Sequence, residues 1–346
     1  MKTRTVRIIV VNLILSLAGI ALLVGGAEMY LRKKHSDYDL FDAGYEKPWF
    51  RGNRADLTKV FAVDSDIGFC PIIPGPQYNE FGTLRNTYSP EKSNNVERLL
   101  FVGDSVTRIG FIVAALREAS GDRPREFWNA GVDSFNTVQE LNYYKKFNCK
   151  IRPDHVILTF HNNDFETTPI VFLNEQGKMV LFSPFLPRNQ VNEVLFRKSY
   201  LYRMFIGKSI ARRRDAGREQ IVAEVKTSLQ EFRTILSRDG IQFTVLVHPV
   251  LLPKDKWTPS EILNHNTVLQ ILKDLGITHC DLSEPLRDAI QHGINPQWEM
   301  WKNDKAHPSP EMAKHFADYL LEHGLLNNLA GRDGRPASFS DAGFRR

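Results

Sequence analysis

Ser105 stands in the run "FVGDSVT", where four apolar residues, Leu99–Val102, lead into Gly103-Asp104-Ser105. A serine hydroxyl is a weak nucleophile unless a base takes its proton. Far along the chain, in "NDKAHPSPEMAKH", Asp304 and His307 lie three residues apart. That spacing lets both side chains meet across one turn. His307 can then act as the base, with Asp304 holding its Nδ1–H and steadying the imidazolium. Acyl transfer also needs donors aimed at the oxyanion of the tetrahedral intermediate. Three candidates stand where apolar runs end. They are the Ser105 backbone N–H at the start of a helical pattern, the Gly131 N–H in "REFWNAG", and the Asn163 side-chain amide in "HNND". A helix start adds the positive end of its dipole, and a glycine lets another group come close. Polar residues at strand ends are ordinary singly; together these supply every part of an acyl-transfer site.

Other chemistries fit less well. "GDSVT" lacks the second glycine and the lysine of a phosphate-binding loop, and Thr107 stands where G-x-S-x-G requires glycine. Asp304, His307 and His161 are metal-ligating types, but no HExxH-like spacing exists, so neither a metal nor a cofactor is expected. The remaining histidines, His155, His248, His265, His279, His292, His315 and His323, are scattered and read as structural or exposed. Cys70, Cys149 and Cys280 form no C-x-x-C pair and read as free thiols, although one bridge is open in an oxidising compartment. The net charge of +5 is mild, and the basic run Arg212–Arg214 has no nucleic-acid motif around it. No nucleic-acid partner is expected.

The elements that must position these residues follow from periodicity. The chain has 346 residues, 42% of them hydrophobic, enough for one large domain plus extras. Strands are predicted at Leu99–Val102, 125–131, 154–160, 241–252 and 278–282, and helices at 106–120, 136–147, 218–240, 260–276 and 309–324. A hairpin is predicted over 170–182, turning at 174–177, and a basic, aromatic helix or surface insert over 196–214. Apolar strands alternating with helices indicate a parallel sheet covered on both faces. Ligands bind beyond the carboxyl ends of such strands, where Ser105, Gly131 and Asn163 lie.

The N-terminus carries a separate signal. Ile8–Gly26 holds no charge and is long enough for a bilayer. Lys2, Arg4 and Arg7 precede it and Arg32, Lys33 and Lys34 follow it, so charge leaves the orientation nearly balanced. A signal peptide cleaved near Gly25-Gly26-Ala27 is the rival; the length of the run favours an uncleaved anchor. The organisation expected is a cytoplasmic N-terminus over 1–7, a transmembrane anchor over 8–27, and a turn-rich extension over 28–95 packing on the main domain. A catalytic domain over 96–326 and a disordered tail over 327–346 complete it.

In this order Gly103-Asp104-Ser105-Val106-Thr107, Gly131, Asn163-Asp164 and Asp304-Lys305-Ala306-His307-Pro308 resemble the four blocks of the SGNH/GDSL hydrolase superfamily. "DSDIGF" and "NEFGTLRN" resemble elements that precede the catalytic block in its membrane-anchored bacterial members. His161 departs from the family's G-x-N-D. The resemblance implies a flavodoxin-like three-layer α/β/α domain. It implies Ser105 as nucleophile, His307 as base, Asp304 as its partner, and an oxyanion hole of Ser105, Gly131 and Asn163. The expected protein is a single-pass membrane esterase, its catalytic domain periplasmic or extracellular, acting on an acyl ester such as an acetylated carbohydrate. O-acyl transfer to an exported polysaccharide and non-catalytic glycan binding are the alternatives.

Overall fold

The computed structural model describes residues 2–34, 57–121, 124–173, 177, 179–182, 191, 194–195, 199–202, 205, 217–298 and 304–325. The expected tail over 327–346, residues 35–56 of the extension, the hairpin turn at 174–176 and most of the 196–214 insert lie outside them. The chain divides into two compact units, one of residues 1–58 and 169–218, the other of residues 59–168 and 219–346.

The larger unit is built on five parallel strands. They are β3 (Glu97–Gly103), β4 (Arg125–Gly131), β5 (His155–Phe160), β8 (Gln242–Val247) and β9 (Thr278–Asp281), in the order β4-β3-β5-β8-β9. The first strand lies inside the sheet with the second to one side and the third to the other, which is the flavodoxin-like order. Helices cover both faces, as the continuous apolar strands require. On one side Leu99, Phe101, Phe127, Ile157 and Leu246 meet α3 (Phe111–Ala119), α7 (Ser283–Gln291) and α8 (Pro310–Glu322) in a single core. The other side carries α4 (Thr137–Lys146), α5 (Arg218–Arg238) and α6 (Pro259–Asp274), where Phe232 stacks on Phe243 and contacts Tyr144. Residues alternating with the first set, Leu100, Val102, Val156, Leu158 and Val245, are likewise buried, as period-2 side chains in a doubly covered sheet must be.

Beneath the sheet's amino end, the Arg98 guanidinium is buried. It donates to Glu126 Oε2 at 2.6 Å and to the carbonyls of Ser89, Pro90 and Ile151. The cysteines are free; burial pushes the Cys70 thiol up to about 11 and the Cys280 thiol to about 12.

Four details differ from the periodic reading. The helix expected over 106–120 is two, α2 (Ser105–Ile109) and α3, because Gly110 turns left-handed at φ 81° between them. The strand expected over 241–252 ends at Val247, two residues before Pro249, which has no N–H for a ladder. Helix α7 follows β9 unannounced, too short to show a clear period. The extension contains an antiparallel hairpin, β1 (Phe61–Asp64) and β2 (Gly68–Pro71).

In the smaller unit, α1 (Lys2–Lys34) is longer than the 8–27 expected. It is one helix long and apolar enough to cross a membrane, with a mean hydropathy of 2.7 within Val6–Lys33; a signal sequence meets the same criterion. Strands β6 (Ile170–Leu173) and β7 (Met179–Phe182) pair antiparallel.

Candidate active site

Strand β3 delivers Ser105 to the carboxyl end of the sheet and α2 begins there. The turn is tight: a Cβ on Gly103 would lie 2.2 Å from Thr107 Oγ1. Asp104, for which the sequence offers no chemistry, is the N-cap of α2. Its buried carboxylate accepts the Val106 N–H at 2.8 Å, which fixes the helix start. The Ser105 N–H, at the first helical position, has no hydrogen-bond partner among the described residues.

Asp304 and His307 come together in the turn before α8. Asp304 Oδ1 accepts the N–H groups of Ala306 at 2.9 Å and His307 at 3.2 Å, while Oδ2 lies 2.7 Å from His307 Nδ1. Burial raises the Asp304 pKa, but the hydrogen bonds from His307 and Ala306 outweigh it, so the carboxyl stays below its usual range. A carboxylate only accepts, so Nδ1 carries the proton and Nε2 offers its lone pair. That Nε2 lies 2.8 Å from Ser105 Oγ. Side chains 202 residues apart are therefore in one hydrogen-bonded line.

The turn that carries Asp304 and His307 is pinned from several sides. Leu251 N–H donates to Lys305 O at 2.8 Å, Trp298 N–H to His307 O at 3.0 Å, and His248 Nε2–H to Ala306 O at 2.8 Å. Burial holds His248 well below its usual pKa, and the nearby His161 pushes the same way. It is thus a neutral donor. Nothing in the sequence distinguished His248 from the other histidines, because its role depends on a backbone carbonyl.

Asn163 sits in the single 3₁₀ turn that follows β5. Asp164 holds that turn: Oδ2 accepts the His161 N–H at 2.7 Å and Oδ1 the Thr137 hydroxyl at 2.8 Å. The Asn163 Oδ1 is buried and has no hydrogen-bond partner among the described residues. His161, where the family pattern has glycine, is buried against the ring of His248 at 5.3 Å, and burial lowers its pKa.

The Gly131 N–H, expected as an oxyanion donor, here donates to Asn129 Oδ1 at 2.9 Å. The glycine is required for another reason. A Cβ there would lie 2.2 Å from the Arg108 nitrogen and 2.7 Å from Thr107 C, so only glycine lets α2 lie against β4. Asn129 ties the same two elements, its Nδ2 donating to Thr107 O at 2.6 Å. Beside it, Arg108 pairs with Asp133, whose pKa is raised by burial against the pull of the guanidinium. Neither Asn129 nor this pair was singled out in the sequence; the N-A-G of "REFWNAG" held the only signal. Among the described residues, no group of three or more metal-ligating side chains is gathered.

No protein-family model matches the chain, and no curated protein matches it. Solved structures similar to it include Axe2, an acetylxylan esterase from Geobacillus stearothermophilus, at 14% identity and a TM-score of 0.43, covering 66% of this chain and 94% of that one. LAE5, an alpha/beta hydrolase from the metagenome of Lake Arreo, Spain, has 15% identity and a TM-score of 0.44, with 67% and 96% covered. The acetyl xylan esterase AlAXEase has 12% identity and a TM-score of 0.43, with 65% and 98% covered. Likeness at this level says nothing of substrate or reaction.

Proposed function

We propose that this protein is a serine esterase of the SGNH/GDSL type, anchored in a membrane by α1, with its catalytic domain on the non-cytoplasmic side. The observation that supports it is the line Ser105 Oγ–His307 Nε2–Asp304 Oδ2, with steps of 2.8 and 2.7 Å, at the carboxyl ends of a parallel sheet. In this reading His307 takes the Ser105 proton as Oγ attacks the ester carbonyl. The carbonyl pair moves onto oxygen, and the Ser105 N–H and the Asn163 amide donate to that oxyanion. Collapse expels the alcohol, which receives the proton from His307, and leaves an acyl-serine. Water, activated by the same imidazole, releases the acid and restores the serine. Gly131 serves by letting α2 approach rather than as a free donor. The substrate class is a short acyl ester, an acetylated carbohydrate of the envelope being the favoured case. No cofactor enters any of these steps.

The test is a panel of p-nitrophenyl esters and acetylated oligosaccharides with the wild type and a folded Ser105→Ala variant. The variant is expected to lose turnover and to resist covalent labelling by an organophosphonate. Full activity in that variant would sink the assignment. Acyl-sugar formed at the expense of free acid, with a saturating glycan acceptor present, would make the protein a transferase.

A further inference from the structure

The Arg108–Asp133 pair takes no part in the acyl-transfer steps, yet it stands on the same rim as Ser105. Gly103 and Gly131 are register partners at the carboxyl ends of β3 and β4. Ser105 and Asp133 each follow two residues later, and adjacent strands lie only ~4.8 Å apart. Arg108 is one turn after Ser105 on α2, on the same side of the helix. Burial raises the Asp133 pKa, and the charges of Arg108, Asp104 and His307 also act on it. The pair is therefore a neighbour of the Ser105–His307 line.

What the pair leaves open defines what it can bind. Arg108 Nε donates to Asp133 Oδ1. Among the described residues, neither Nη nitrogen of Arg108 has a hydrogen-bond partner, and Asp133 Oδ2 has none. Both side chains reach solvent, Arg108 at 29% exposure and Asp133 at 23%. A cationic donor fork and a carboxylate oxygen thus sit side by side with unused hydrogen-bonding capacity.

The backbone is held in an uncommon shape to present them. Val132–Phe135 is a turn closed by the Phe135 N–H on Val132 O at 3.2 Å, and the Val132 N–H is tied to Gly103 O at 3.0 Å. Ser134, the third residue of the turn, has φ 62°, a left-handed conformation that turns ordinarily give to glycine. Strain of this kind in a non-glycine residue gathers at ligand sites. Here it fixes Asp133 against Arg108.

The charges select the ligand. A carboxylate or phosphate would meet the Arg108 fork but would lie against the Asp133 and Asp104 carboxylates. A hydroxyl both donates and accepts. Two neighbouring hydroxyls can therefore receive from Arg108 Nη and give to Asp133 Oδ2 at once. A short acyl chain has no hydroxyls; the alcohol half of an acylated carbohydrate has several. We propose that Arg108 and Asp133 form the subsite for the alcohol half of the substrate, binding two of its neighbouring hydroxyls beside the ester at Ser105. This rests on the serine esterase reading.

The test uses the full chain in detergent and two acetates. Glycerol monoacetate carries two neighbouring hydroxyls, and propyl acetate has the same carbon skeleton without them. Acetate release gives kcat and KM for each. The expected result is a wild-type preference of about tenfold in kcat/KM for glycerol monoacetate, in line with hydrogen bonds to charged groups. Arg108→Gln should bring that ratio to about one by raising KM for glycerol monoacetate alone. Arg108→Lys keeps the charge but loses the planar fork, and should restore only part of the preference. A purely structural role would slow both acetates equally and leave the ratio as it is. An unchanged ratio in Arg108→Gln, or equal wild-type kcat/KM on the two acetates, would overturn the subsite and leave the chemistry at Ser105 intact. Faster wild-type turnover of acetylglycolate, which carries a carboxylate in place of the hydroxyls, would make this an anion site and overturn the proposal. Hydrolysis of neither acetate, with Ser105 unlabelled by an organophosphonate, would overturn the esterase reading and this proposal with it.

Discussion

Replacing Gly131 with alanine puts a methyl group 2.2 Å from the Arg108 nitrogen, 2.7 Å from Arg108 Cα and 2.7 Å from Thr107 C. Ordinary contact requires ~3.5 Å, so something must move by about 1.3 Å. The strand is poorly free to do so. Gly131 pairs in register with Gly103, its N–H is held by Asn129, and its carbonyl accepts the Tyr78 hydroxyl at 2.8 Å. Helix α2 is short, and it carries Ser105. A displacement of that size breaks a hydrogen bond that now measures 2.8 Å to His307. Misplacement by ~1 Å can cost about a hundredfold in rate, or ~2.7 kcal/mol of barrier, with about 1–3 kcal/mol of stability lost to overpacking. Steady-state kcat on p-nitrophenyl acetate and urea midpoints measure the two effects. Alanine keeps the backbone N–H, so loss of a donor cannot account for the fall. A Gly131→Ala protein with wild-type kcat and midpoint would refute the claim that this contact sets the position of Ser105.

Asp304→Asn should fold but lose roughly 10³–10⁴ in kcat, because an amide no longer enforces the Nδ1–H tautomer; stopped-flow acylation would show the loss in the first step. Arg98→Met should lower stability by about 3–5 kcal/mol by stranding the Glu126 carboxylate, read as a urea midpoint, and Arg98→Met with Glu126→Gln should recover part of it. Burial lowers the His155 pKa to about 4. The unfolded chain, with an ordinary histidine near ~6.5, then binds the extra proton between those values, so stability falls as pH drops from about 6.5 towards 4 and is unaffected above. A His155→Gln variant should show a shallower slope across that window in pH-dependent urea titrations; an identical slope would place the effect elsewhere. Asp304 has the opposite polarity of charge but the same direction. Its depressed pKa gives stability that is present above the ordinary carboxylate value and lost as pH falls through the folded one, so Asp304→Asn should flatten the acid limb below pH ~4.

The parts of the fold that were legible in the sequence are those written in periodic apolar residues. Leu99–Val102 and 154–160 read as buried strands because apolar residues dominate them, and the helix over 218–240 read as amphipathic. Gly110 was visible as a residue but not as a break, because the apolar period runs through it. Ser105, Asp304 and His307 could be named from type and spacing, since nucleophile, base and orienter are distinctive in chemistry. What sequence could not supply was the second set of bonds that holds them. His248 acts through the Ala306 carbonyl, Asn129 through the Thr107 carbonyl, and Gly131 through the space it leaves. Each of these uses a generic backbone partner brought near only by the tertiary fold.

Strand β4 ends the sheet on one side, yet its outer rim is not bare. Leu84 N–H donates to Asn129 O at 2.7 Å, and Phe81 and Tyr88 pack their rings on Trp128 at 6.0 and 5.5 Å. Thr83 and Tyr78 are buried in the same seam. An uncovered outermost strand is a template for pairing with another chain, and this one would present Trp128 along with its unpaired backbone. The turn-rich extension thus works as a guard against self-association. A soluble form cut to begin at residue 96 would lose that guard and should aggregate through β4, whereas one beginning ahead of Phe61 should remain monodisperse in gel filtration.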